Sequence, residues 1–172
     1  MDRRFLVTAL LAGTVALAGC KKEPPASLPP EPEPTATSGP ATGGMDSGAA
    51  VPGTQAHFEQ ATQGQNVIYF DTDRFNIDSA DAAALQTQAQ YLGQYPQISV
   101  TVEGHADERG TREYNLALGE RRANAAKNYL VSLGIAASRI ATVSYGKERP
   151  VALGSTEAAW AQNRRAVSVV VN

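Results

Sequence analysis

With a single cysteine, Cys20, the chain can form no disulfide within itself. Histidine is nearly as scarce. His57 and His105 are the only two, whereas zinc sites usually draw two or more ligands from His or Cys. No HExxH, paired-cysteine, GxSxG or P-loop pattern occurs. Neither sign of charge dominates, since 15 Lys and Arg face 17 Asp and Glu for a net charge of −2. That balance gives no electrostatic case for a nucleic-acid partner. No apolar run reaches the roughly 20 residues that a membrane-spanning helix needs. The longest, "FLVTALLAGTVALA" from Phe5 to Ala18, follows Arg3 and Arg4 and reads as an export signal.

That run ends in "LAGC", Leu17 to Cys20. Small residues just before a cysteine resemble a bacterial lipobox, in which residues 1–19 are removed and Cys20 becomes the acylated first residue. Several acyl chains on one cysteine anchor stably, because each buried methylene adds about 0.8 kcal/mol. Lys21 follows, where aspartate would suggest inner-membrane retention, so by this resemblance the destination is the outer membrane. The expected location is the periplasmic face, lipid-anchored.

Residues 20–57 read as the lipidated Cys20 and a proline-rich disordered linker. Eight of the 10 prolines fall between Pro24 and Pro52, and such a segment has almost nothing to bury. As a flexible coil it would span roughly 35 Å, and as polyproline about 120 Å. Residues 58–172 are the expected domain, of a size that supports one core.

Within that domain, "NVIYF" (Asn66 to Phe70) is a short apolar run bounded by Gly64 and "DTD", which predicts a strand. Asp78 or Ser79 can cap a helix through "AAALQTQAQYL" that stops before Pro96. "ISVTVE" alternates, with Ile98, Val100 and Val102 on one face of a second strand. A long helix follows from about Arg112 to Leu133, its expected buried stripe being Leu116, Gly119, Ala123, Ala126, Leu130 and Leu133. "RIATVSYG" predicts a third strand, Thr156 to Gln162 a short helix, and "RRAVSVVV" a fourth strand that could pair in either direction. The order predicts an α+β sandwich, β-α-β-α-β-(α)-β, with one mixed sheet and helices on one face.

Chemistry concentrates in "TVEGHADERGT", Thr101 to Thr111. Glu103, His105 and Asp107 alternate, so a metal site is one reading. Paired carboxylates Glu103, Asp107 and Glu108 suit hydrolysis as another. Against the first stands the missing second histidine or cysteine. Against the second stand Arg109 and Arg112, which depress carboxylate pKa values rather than raise one for a general acid. The plainest reading is of solvated loop charges, with Arg121 and Arg122 on an exposed helix face.

Read whole, "VEGHADERGT", "EYN" and "LGERRANA", with "YFDTD", "VSYGKERP" and "NRRAV" in order, resemble the OmpA-like peptidoglycan-binding domain family over Asn66 to Val170. The resemblance implies non-covalent binding of the peptidoglycan stem peptide through meso-diaminopimelate, with neither catalysis nor cofactor. It implies that Asp107 accepts from the ligand ammonium and Arg122 donates to its carboxylate. Asp73, Thr111 and Leu118 are the lesser contacts it implies, and Asn115, Asn163 and Arg164 the supporting residues. The free end of diaminopimelate carries both charges, so an acceptor and a donor fork side by side suit it. His105 is expected as a strand-end hydrogen-bonding residue and Trp160 as packing for the short helix. Asp71 is an extra acid beside the family pattern. Implied partners are peptidoglycan, outer-membrane lipid through acylated Cys20, and Tol proteins including TolB. A flagellar-motor stator of the same superfamily would need a true transmembrane helix before the domain.

Overall fold

Four side-chain caps set where the helices begin. Thr54, Asp78, Thr111 and Thr156 each sit in extended backbone and accept the N–H of the residue three further on. Each satisfies a donor that the first helical turn leaves unpaired, a contribution of about 1 kcal/mol. They open α1 (Gln55–Ala61), α2 (Ser79–Gln94), α3 (Arg112–Ser132) and α4 (Glu157–Asn163). The computed structural model describes residues 50–171. Cys20 and most of the expected linker lie outside the described residues.

Strands β1 (Val67–Tyr69), β2 (Ser99–His105), β3 (Ile140–Gly146) and β4 (Arg165–Val171) form one sheet in the order β1-β4-β2-β3. β2 and β3 run parallel, while β4 lies antiparallel to both β1 and β2. The expected α+β architecture is therefore present, and the direction of the last strand is settled as antiparallel. Register follows the side-chain alternation. Val100 faces Val170 and Val102 faces Ser168, all buried on the helix-covered face with Ile68 and Ile140. Glu103, Val143, Val167 and Val169 point the other way and stay half-buried.

Two expectations about the elements need correction. α1 was not anticipated, because one apolar residue, Phe58, is all that "QAHFEQA" buries. That residue is fully buried among Tyr91 and its neighbours, and His57 Nδ1 lies 2.8 Å from the Tyr91 hydroxyl. The buried stripe of α3 also differs from the apolar pattern. Leu116 is half-buried and Leu133 is exposed, whereas Asn115, Leu118 and Arg122 are buried. The first half of α3 turns toward the loops around residues 70–78 and 105–111, where polar groups have partners. Only its second half, from Ala123 to Leu130, packs the apolar core.

What brings α3 down onto β2 is a pair of glycines. A Cβ at Gly104 would run into the Gly119 carbonyl, and one at Gly119 would crowd Ser144 Oγ and the Gly104 carbonyl. This contact sets the height of the helix, and with it the position of Arg122 one turn on. Gly119→Ala should lower stability by about 1–3 kcal/mol through overpacking. Gly93→Ala, which meets nothing within 4 Å, should leave it unchanged or raised by up to about 1 kcal/mol. Denaturant unfolding of the two variants checks the difference, and equal effects would contradict the contact.

Candidate functional site

The loop after β2 and the start of α3 face the segment after β1 across a cavity of about 250 Å³. Thr72, Asp73, Asp107, Arg109, Tyr114, Leu118 and Arg122 are among the residues lining it. Arg122 forms the floor. Its side chain is fully buried, and Nε donates to the Arg74 carbonyl at 2.9 Å, Nη1 to His105 at 2.8 Å and Nη2 to Asp71 at 3.0 Å. Three of five N–H groups thus tie the 71–74 segment to the end of β2. The exposed helix face of the plainest sequence reading does not hold for Arg122. Burial, with Arg164 adding to it, lowers its pKa to about 10 against the pull of Asp107 and Asp73, so it stays charged at neutral pH.

Asp107 is buried and carries two cations. Arg109 Nε donates to Oδ1 at 3.0 Å and Nη2 to Oδ2 at 2.6 Å, and the Arg109 backbone N–H reaches Oδ1 at 3.1 Å. Arg164 Nη1 lies 3.5 Å from Oδ2. Burial pushes the Asp107 carboxyl up, but the hydrogen bonds and charge of Arg109, aided by Arg164, outweigh it and hold the pKa below the ordinary carboxylate range. A general acid needs the opposite shift.

The other residues implied by the family resemblance fall into three places. Asp73, Leu118 and Asn115 line the cavity beside Asp107 and Arg122. Asp73 adopts φ 56° and accepts from the Tyr114 hydroxyl at 3.1 Å. Asn115 Nδ2 holds the Arg109 carbonyl at 2.7 Å. Thr111 is next to the cavity as the cap of α3. Asn163 lies away from it, clamping Val151 and Ala152. Arg164 braces from behind, donating to the Phe70 carbonyl at 2.9 Å and to Glu157 at 2.8 Å. Asp71 contributes its carbonyl to Arg122.

His105 is not the hydrogen-bonding residue that was expected. Its carbonyl accepts from Arg122, but both ring nitrogens are buried with no partner among the described residues. The ring stacks on Tyr145, with centroids 5.6 Å apart, and the Arg149 guanidinium lies 3.6 Å from the Tyr145 ring centroid. Burial first, then the charges of Arg165 and Arg149, lower its pKa to about 4. The ring is therefore neutral, and Glu103 Oε2 at 3.7 Å forms no ion pair with it. Asp107 meanwhile turns to its arginines. No group of three or more His, Cys, Asp or Glu suited to a metal ion occurs among the described residues.

Trp160 also departs from expectation. Its indole lies under the Arg109 guanidinium, 4.2 Å from Cζ to the ring centroid, and Nε1 donates to Glu108 at 3.0 Å. Arg109 and Tyr114 are thus cavity-lining residues, and Trp160 a support beneath Arg109, that periodicity could not supply. A second cavity, of about 330 Å³, is lined by Asp71, Asp78, Asp81 and Arg164 among others. It gathers three carboxylates around one buried cation. The smaller cavity instead sets two carboxylates beside two guanidiniums, which suits a ligand end carrying both charges.

The model of the OmpA family matches residues 69–164, the stretch that carries this cavity. The chain belongs to the OmpA family. A protein named peptidoglycan-associated lipoprotein from Rhizobium meliloti (strain 1021) is 48% identical over 165 residues, covering 95% of this chain and 86% of that protein. One of the same name from Mesorhizobium japonicum is 46% identical over 170 residues, covering 99% and 94%. The crystal structure of the peptidoglycan-associated lipoprotein from Burkholderia pseudomallei superposes on this OmpA-family domain with a TM-score of 0.63 at 46% identity, covering 66% of this chain and 96% of that one. The C-terminal domain of Helicobacter pylori MotB does so at 0.58 and 18% identity, covering 62% and 84%. A likeness at that identity reaches the fold alone. Among the described residues, no helix is long and apolar enough to cross a membrane.

Proposed function

We propose that this OmpA-family domain binds peptidoglycan non-covalently, gripping the stem peptide at the free end of meso-diaminopimelate. The observation that carries the reading is the pairing of Asp107 with guanidiniums in one small cavity. A carboxylate there takes the ligand ammonium, while the N–H groups of Arg122 not tied to carbonyls take its carboxylate. Asp73 at the rim adds negative charge, and Leu118 gives an apolar wall to the methylene stem between the two charged ends. The relatives bear the name peptidoglycan-associated lipoprotein, and the low pKa of Asp107 suits holding a cation rather than proton transfer.

In this reading Cys20 is acylated and sits in the outer membrane, the linker crosses the gap, and the domain holds the wall from the periplasmic side. The protein then acts as a tether without catalysis. It joins the Tol–Pal system, with TolB among its partners, and supports envelope integrity and cell division. The test is sedimentation with purified sacculi. Wild-type domain should pellet with them, and folded Asp107→Asn should stay largely in the supernatant. Equal pelleting of the two would remove Asp107 from the binding site, and no pelleting of wild type would remove the function.

A further inference from the structure

Resting on that reading, we infer that Arg109 stands in for the ligand ammonium in the empty site. Binding then exchanges one ion pair for two. The incoming ammonium takes Asp107, and the Arg109 guanidinium so released joins Arg122 on the ligand carboxylate. Arg109 becomes a specificity-determining residue that makes the pocket respond to a ligand end bearing both charges.

Asp107 is already occupied in the empty site. Both of its oxygens already accept from Arg109, at 3.0 and 2.6 Å, and its side chain is 9% exposed. Three of its roughly four acceptor sites are taken by Arg109, and the Arg164 guanidinium lies 3.5 Å from Oδ2 on the remaining side, so an ammonium that enters competes with cations already in place. For Asp107 to turn to the ligand with both oxygens one of these cations has to give way, and they differ in how tightly they are held. The Arg164 side chain is 8% exposed and is tied to the Phe70 carbonyl and Glu157. Arg122 is fully buried and tied to three carbonyls. Arg109 is 38% exposed, and beyond Asp107 its guanidinium has only Thr72 Oγ1 at 3.3 Å and the face of Trp160. It is the cation that can move.

Trp160 gives it somewhere to go. The attraction of a guanidinium to an indole face has no fixed rotation about the ring normal, so Arg109 can turn away from Asp107 while it stays on Trp160. Its N–H groups then point into the cavity it lines. A ligand with an ammonium and no adjacent carboxylate strips Arg109 of its counter-ion and returns nothing. A ligand with both charges restores a partner to each side chain, so the penalty falls selectively on the wrong ligand.

Trp160 is the sole tryptophan and reports the motion directly. Stem peptides carrying meso-diaminopimelate, or lysine in its place, are titrated into the folded domain, with Trp160 fluorescence and calorimetry as readouts. Wild type should prefer the diaminopimelate peptide and change its Trp160 emission on binding. Arg109→Gln should lose the emission change, and its preference should fall by about tenfold or more, the loss expected for a charge-assisted contact. Lysine-peptide binding should hold or improve, because Asp107 is freed. Arg109→Lys, which keeps the charge without the fork, should fall between the two. An Arg109→Gln protein that keeps the wild-type preference overturns the exchange. If Asp107→Asn still abolishes binding in that case, the peptidoglycan reading stands without it. If wild type binds neither peptide, that reading fails and the exchange with it.

Discussion

Arg122→Lys should cost the domain both stability and ligand. The guanidinium joins three backbone carbonyls, those of Asp71, Arg74 and His105, at 2.8–3.0 Å in a fully buried setting. An ammonium is a compact donor that cannot span a planar fork, so at least one carbonyl is left unpaired. Hydrogen bonds to charged groups contribute about 1.5–3 kcal/mol each, which puts the expected stability loss at roughly 2–5 kcal/mol. Released from below, the 71–74 segment no longer holds Asp73 at the rim, and stem-peptide affinity should fall about tenfold or more. Arg121→Lys is the control. Arg121 is exposed, its Cζ 6.0 Å from the Phe75 ring, and the change should stay within about 0.5 kcal/mol. Denaturant unfolding and calorimetry measure the two effects separately. An Arg122→Lys domain as stable as wild type would contradict the role of the guanidinium as the cavity floor.

The second large effect is acid sensitivity through His105. An unfolded histidine titrates near 6.5, and the buried ring does so at about 4. Between these values the unfolded chain binds a proton that the folded domain does not, so unfolding gains as pH falls. The contribution is fully present above pH 6.5 and is lost progressively down to pH 4, about 3 kcal/mol in all. Asp81, whose pKa burial raises, opposes the trend around and above its ordinary value, and Asp107 reinforces it only below the ordinary aspartate range. His105→Asn should flatten stability between pH 6.5 and 4. A variant whose stability falls as steeply as wild type over that window would show that the ring is not the source.

Which parts of the molecule could be read from the sequence follows from what periodicity encodes. Alternation in "ISVTVE" located β2 and its buried face, and the apolar spacing from Ala123 to Leu130 located the core half of α3. The same counting failed at Asn115 and Arg122, since a polar residue buried against loop carbonyls looks, in a pattern of apolar positions, like a solvent-facing one. It failed again at α1, where a single phenylalanine is the only fully buried residue. Asp107 and Arg122 were brought together by family resemblance, since they stand 15 positions apart across loop and helix and spacing does not show how the loop folds back. Arg109 and Trp160 lie further beyond reach. Their contact joins residues 51 positions apart, through a loop whose side-chain directions depend on the Asn115 and Lys147 hydrogen bonds to its carbonyls.

One cavity, the one between Asp107 and Arg122, is where the stem peptide is proposed to bind. The most direct test is a chemical-shift titration of the isotopically labelled domain with a meso-diaminopimelate stem peptide. Saturable shifts should group at residues 71–74, 106–118 and 122, with the Trp160 indole N–H among them. Shifts grouped instead at Tyr69, Asp78, Asp81 and Gln162, around the larger acidic cavity, or along Val143, Val167 and Val169 on the open sheet face, would contradict it.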